Sequence, residues 1–260
     1  MEPSDPGPYS TWDDPALSDS PRLPDRVPWS VGDGLAVMVA FVGSIMGFAI
    51  LAKALVPSPK GAPAVLGTAG ASVLTLALAY TIVRDRAPRD STIFSALCAE
   101  RPPLLSTILR TMPLLVVGAG TYLAVGWGQA TILRKLGMSP EAVPQQQAVK
   151  IIGQSSSTVV WASMIGFAVL VAPVVEETVF RGVLYLPIRS RLGPVAAGLI
   201  VSIIFAAIHH YVWGFPQLLV IGLILTAVFE ATGTLLVPVA VHALYNVAIM
   251  CVLWMHGGMG

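Results

Sequence analysis

Residues 174–182 read VVEETVFRG and place two adjacent carboxylates and a guanidinium in an otherwise apolar part of the chain. Moving a charged group into hydrocarbon costs several kcal/mol, so such residues indicate a functional site by default. Glu177 and Arg181 lie four residues apart, on one face of a helix, where they can form an ion pair. Glu176 lies about 100° further around the helix, which leaves it free for other work. The alternative is that all three form one buried ion-pair network.

The composition is that of a membrane protein. Of the 260 residues, 55% are hydrophobic and only 11% are charged, whereas a soluble domain carries about 25% charged residues. A net charge of +1 argues against a broad surface for nucleic acid. The two cysteines, Cys98 and Cys251, lie far apart and indicate neither a disulfide framework nor a metal cluster.

The apolar runs predict an all-α polytopic membrane protein, because about 20 apolar residues cross the hydrocarbon core as a helix. About seven transmembrane helices are expected, with six to eight possible. Pro173 should interrupt the fourth of them. The spans are placed near 35–56, 63–83, 105–127, 157–187, 195–212, 216–231 and 235–255.

The domain organisation follows from these spans. Residues 1–30 are rich in proline and are expected to form a disordered tail. Residues 31–150 should hold the N-terminal transmembrane helices and a polar connection, which begins near residue 128. Residues 151–260 hold every motif that carries chemistry.

Two further groups of polar residues lie in late spans. Phe205 and His209 end the fifth span, and His242 and Asn246, four residues apart, share a face of the seventh. Glu176 and His209 each lie about 20–25 Å along their helices from a predicted turn near residues 191–193. These side chains are therefore predicted to meet in one cavity.

Three motifs, taken in this order, resemble those of the CPBP intramembrane protease family: Glu176-Glu177-x-x-x-Arg181, Phe205-x-x-x-His209 and His242-x-x-x-Asn246. That family groups the CAAX prenyl proteases of the second type with bacteriocin-processing and self-immunity proteins, also called Abi. The resemblance covers residues from about 157 to 250. It implies a helical membrane fold whose last four helices form the catalytic core, and hydrolysis of a peptide bond within or near the bilayer.

The roles of the residues can be argued from chemistry. Amide hydrolysis needs a polarised water, a base for its proton and a stabiliser for the oxyanion. Glu176, the carboxylate without a partner, is the natural base, and His209 can hold or polarise the same water. His242 and Asn246 can both donate hydrogen bonds to the developing oxyanion. The resemblance assigns the matching positions in the same way.

The remaining motif residues, Glu177, Arg181 and Phe205, are predicted to support the site. Glu177 and Arg181 should stabilise their helix. A second mechanism is also open, in which Glu176, His209 and His242 bind Zn²⁺, since two His and one Glu form a known catalytic zinc set. We favour the metal-free mechanism, because no third dedicated ligand is visible, and we predict no other cofactor.

A different class of function uses the same residues. A non-catalytic membrane scaffold, immunity protein or transporter would employ them as a buried polar network or an ion path. The complete set of motif positions favours the enzyme. Its expected partners are a membrane-associated peptide or protein substrate and the lipid bilayer, with no nucleic acid. The expected location is an integral, multi-pass position in a membrane, the plasma membrane in a bacterium.

Overall fold

The computed structural model describes residues 23–24, 26–55, 62–86, 103–139 and 158–257. Within these ranges the chain forms long helices, with no β-strand. The all-α polytopic membrane fold is therefore confirmed, whereas the number of spans stays a prediction. Apart from the fourth helix, the helices are α1 (Val31–Leu55), α2 (Ala62–Arg86), α3 (Leu104–Lys135), α5 (Leu186–Ile208), α6 (Phe215–Thr232) and α7 (Leu236–Gly257).

The fourth helix, α4, changes its winding along its length. It joins α-helical Thr158–Gly166, π-helical Phe167–Val171, α-helical Ala172–Glu177 and π-helical Thr178–Tyr185. After each π segment comes one residue and then a proline, Pro173 or Pro187. Proline has no backbone N–H for the preceding turn, and helices are interrupted at prolines and at π-bulges. The interruption predicted at Pro173 thus takes the form of a π segment directly before it.

Two glycines set the chain reversals around the last helices. Gly193 breaks the winding of α5 with φ 80° and ψ 167°, at the turn predicted near residues 191–193. Beyond this break α5 packs back on the π segment Thr178–Tyr185. Gly233 ends α6 with φ 66°. Glycine adopts positive φ without the steric cost that a Cβ imposes, so both reversals depend on it.

The membrane character of the chain is visible in its apolar helices. Among the described residues, three stretches are long and apolar enough to cross a bilayer: Leu104–Lys135, Ala162–Ile208 and Val212–Thr232. Shorter apolar stretches lie in α1 and α7. The apolar side chains of α3 are largely exposed, which suits a helix that faces lipid. This helix continues to Lys135, so the start of the predicted polar connection is helical, and residues 140–152 lie outside the described part.

The packed part of the chain begins before α1. Within the predicted tail 1–30, Leu23 and Trp29 are buried in the core, while residues 1–22 lie outside the described ranges. Ser30 caps α1, since its backbone N–H donates to the Asp33 carboxylate at 2.7 Å and Asp33 N–H donates back to its hydroxyl. The chain around Leu23 and Trp29 therefore packs on the helical core.

Candidate active site

The acidic and basic residues of α4 form a fully buried ion pair. Arg181 Nη1 donates to Glu177 Oε1 at 3.0 Å, and both side chains are 0% exposed. The other terminal nitrogen, Nη2, donates to the carbonyl of Gly222 in α6 at 2.9 Å. The predicted pair within one helix is thus present, and Arg181 also ties that helix to its neighbour.

His242 of α7 lies between the two carboxylates. Its Nδ1 donates to Glu177 Oε1 at 2.8 Å, because a carboxylate oxygen can only accept. Its Nε2 lies 3.9 Å from Glu176 Oε2, which is beyond hydrogen-bond distance. The contact with Glu177 therefore fixes the orientation of the imidazole ring and directs Nε2 toward Glu176.

Glu176 differs from its neighbour in environment, as its position on the helix predicts. Its side chain is 16% exposed, against 0% for Glu177. Its Oε2 is buried and accepts no hydrogen bond from the described residues. A buried, unpaired carboxylate oxygen is costly, so this atom is suited to accept a hydrogen bond from a water or from a substrate group.

Phe205 links the two histidines. Its ring centroid lies 4.7 Å from that of His209 and 6.0 Å from that of His242, and the guanidinium of Arg181 lies 5.0 Å above it. His209 Nδ1 donates to the carbonyl of Phe205 at 2.7 Å, which leaves Nε2 with its lone pair. By contrast, the neighbouring His210 is exposed to the surroundings.

Asn246 lies on the same helix as His242, but its amide turns toward the backbone of α4. Its Nδ2 donates to the carbonyl of Ala168 at 2.7 Å. One of the two amide hydrogens is thereby used, and one remains. The structure joins Glu176, the Glu177–Arg181 pair and His242 in one group, and Phe205 lies between His242 and His209. Asn246 acts first as a contact between α7 and α4.

Sequence reasoning missed the glycine that accommodates this ion pair. A Cβ on Gly222 would lie 2.9 Å from Ser202 Cβ and 3.1 Å from its Cα, so α5 and α6 cross at this glycine. The close crossing also brings the Gly222 carbonyl within reach of Arg181. A lone glycine in an apolar helix gave no signal strong enough to predict this contact.

A second charged cluster was also missed. Arg189 donates through Nε to Glu230 Oε1 at 2.5 Å and through Nη2 to Oε2 at 3.2 Å, while Tyr185 donates to Oε1 at 2.5 Å. The cluster joins the end of α6 to the junction of α4 and α5. An acid in an otherwise apolar helix was the available signal.

The fit to a metal can be tested on the donor atoms. His209 and His242 both commit Nδ1 to a hydrogen bond and keep Nε2, which is the arrangement of metal-bound histidines. However, no three His, Cys, Asp or Glu side chains in the described ranges are grouped so that they could hold a metal ion. The residues as placed do not form a ready-made three-ligand site.

The fold and the site define a polytopic helical membrane protein with a buried Glu–Arg–His network. Beside it lies the Glu176 carboxylate, whose Oε2 has no hydrogen-bond partner among the described residues. Residues 158–248 match the family model described as type II CAAX prenyl endopeptidase, Rce1-like. The match agrees with the resemblance of the motifs, and the family that it names is one of CAAX-type endopeptidases. Comparisons with curated proteins and with solved structures gave no match.

Proposed function

We propose that this protein hydrolyses a peptide bond of a membrane-associated protein or peptide with a water activated by Glu176. The observation that carries this proposal is the free oxygen of Glu176, which is buried, unbonded among the described residues and 3.9 Å from His242 Nε2. The match of residues 158–248 to a peptidase family supports it.

The proposed reaction needs only groups of this chain. As the water oxygen bonds to the carbonyl carbon, the water gives a proton to Glu176, and the carbonyl electrons move onto the oxygen. The tetrahedral intermediate then collapses, the carbon–nitrogen bond breaks, and the leaving nitrogen takes the proton back from Glu176. General base catalysis of this kind contributes about 10²–10⁴ in rate.

The two histidines have different tasks in this proposal. His209, with Nδ1 held by the Phe205 carbonyl, turns Nε2 to the water as an acceptor. His242, with Nδ1 held by Glu177, donates from Nε2 to the oxyanion when its ring is protonated. Asn246 donates a hydrogen bond to the same oxyanion through its remaining amide hydrogen.

The setting defines the class of substrate. The site residues lie on helices of a membrane protein, so the scissile bond must reach them from the bilayer or from its surface. We propose a membrane-associated peptide or protein as the substrate and an integral, multi-pass position as the location, which in a bacterium would be the plasma membrane. The alternative, a non-catalytic scaffold or transporter, would use the buried Glu177–Arg181–His242 network for structure or ion passage.

The test is cleavage by the purified protein in detergent or liposomes. A library of membrane-associated peptides should yield products for the wild type and none for Glu176→Ala. His210, the exposed neighbour of His209, provides the matched control, and His210→Ala should retain the wild-type rate. Equal product formation by wild type and Glu176→Ala would overturn the proposal, as would absence of cleavage across peptides with and without lipid modification.

A further inference from the structure

The winding of α4 leaves the carbonyl of Ala168 without a backbone donor. In an α-helix this oxygen would accept from the amide of Ala172, but that amide donates instead to Phe167. In a π-helix it would accept from residue 173, and Pro173 has no N–H. The side-chain amide of Asn246 fills this position at 2.7 Å.

A similar substitution occurs at the other end of the same helix. In an α-helix the donor for the carbonyl of Val183 would be residue 187, a proline, and in the π segment that contains Val183 it would be Ile188. The indole N–H of Trp29 donates to this carbonyl at 3.0 Å. Trp29 is buried, and nearby Gly34 approaches the same backbone so closely that a Cβ would lie 3.0 Å from the Val183 oxygen.

Both contacts bear on Glu176, which lies in the α-helical segment between the two π segments. A π-bulge amounts to one extra residue in the helix, and one residue corresponds to about 100° of rotation. Loss of a π segment would therefore rotate Glu176 and Glu177 about the helix axis. One of the two carboxylates would then point toward the place that the other has now. Only one winding of α4 places Glu177 against Arg181 and His242 while Glu176 keeps a free oxygen.

We propose that Asn246 and Trp29 are positioning residues that hold the winding of α4, each donating an N–H to a carbonyl of α4 at a π segment that is followed by a proline. Trp29 lies outside residues 158–248, so a part of the chain beyond the matched domain takes part in building the site. The assignment deepens the proposed function, and it gives Asn246 a task that is separate from donation to an oxyanion.

The experiment is a pair of rescue cycles in the full chain. The first compares Asn246→Ala, Pro173→Ala and the double variant, and the second compares Trp29→Phe, Pro187→Ala and their double variant. Each proline replacement returns a backbone N–H near the carbonyl that has lost its side-chain donor. Melting temperature is measured for every variant, and kcat and KM are measured with a peptide that the wild type cleaves. Trp127→Phe, at a tryptophan that is 72% exposed on α3, is the control for loss of an indole.

Each single donor variant should melt below the wild type and lose about tenfold in kcat with little change in KM, the equivalent of one hydrogen bond. Each proline replacement should recover most of the lost melting temperature in the double variant, and Trp127→Phe should match the wild type. A purely catalytic Asn246 would give a double variant no better than Asn246→Ala, which overturns its positioning role. Should Asn246→Ala fail to fold, the milder Trp29 cycle decides. The melting temperatures decide even if the protein cleaves no peptide, so failure of the proposed function is distinguishable from failure of this proposal.

Discussion

Glu177 and His242 meet at 2.8 Å, between Oε1 of the carboxylate and Nδ1 of the ring. The same oxygen accepts from Arg181 at 3.0 Å, and Arg181 reaches on to the carbonyl of Gly222. One carboxylate oxygen thus joins α4 to α7 directly and to α6 through the guanidinium. This junction holds the histidine that faces Glu176, so the stability of the fold and the geometry of the site depend on the same atoms.

The first prediction concerns that junction. Arg181→Ala leaves Glu177 buried without its cationic partner, and breaking a fully buried pair costs about 3–5 kcal/mol. We expect a lower yield of folded protein and a lower melting temperature in detergent. The double variant Glu177→Gln with Arg181→Met removes both charges and should recover part of the stability. A wild-type melting temperature for Arg181→Ala would show that the pair is not structural.

The second prediction ranks the groups around the water. Glu176→Gln and His209→Ala should reduce the cleavage rate to background, because each removes a group that activates the nucleophile. His210→Ala should stay near the wild-type rate, since this side chain is exposed while His209 packs on Phe205. Rates are compared at matched amounts of folded protein. An inactive His210→Ala beside an active His209→Ala would mean that the end of α5 is assigned in the wrong register.

The third prediction decides between the metal-free and zinc mechanisms. A zinc enzyme with Glu176, His209 and His242 as ligands would lose activity with a strong chelator and regain it with added Zn²⁺. The metal-free mechanism instead predicts full activity in the chelator and no stoichiometric metal by elemental analysis. Because the three side chains are not gathered as a metal site, we expect the second result. One zinc per chain together with chelator-sensitive cleavage would reverse this assignment.

The fourth prediction concerns the crossing of α5 and α6. Gly222→Ala adds a Cβ only 2.9 Å from Ser202 Cβ, so the helices must move apart and the carbonyl that accepts from Arg181 moves with them. Overpacking of this kind costs about 1–3 kcal/mol. Gly43→Ala is the control, since no described atom lies within 4 Å of its added Cβ. Thermal melting of both variants tests the difference, and equal melting temperatures would contradict it.

The sequence by itself determined the class of fold and singled out the residues of the candidate site. Apolar runs of membrane-spanning length predicted helices close to those observed, because a bilayer leaves a long apolar segment little alternative to helical hydrogen bonding. Charged groups in those runs are costly and therefore stand out. The four-residue spacing of Glu177 and Arg181 predicted their pair, since this spacing puts two side chains on one helix face.

Contacts between helices were decided by the tertiary structure alone. His242 donates a hydrogen bond to Glu177, while Glu176 keeps a free oxygen. This difference depends on how α7 packs against α4, and the spacing of residues within one helix does not predict the packing of two helices. The same holds for Trp29 on Val183 and Asn246 on Ala168, which join residues 154 and 78 positions apart. Pro173 and Pro187 show from the sequence that carbonyls lose their donors. Which side chains replace those donors is decided only when the helices pack, because a buried carbonyl must find its hydrogen bond wherever the fold brings an N–H within reach.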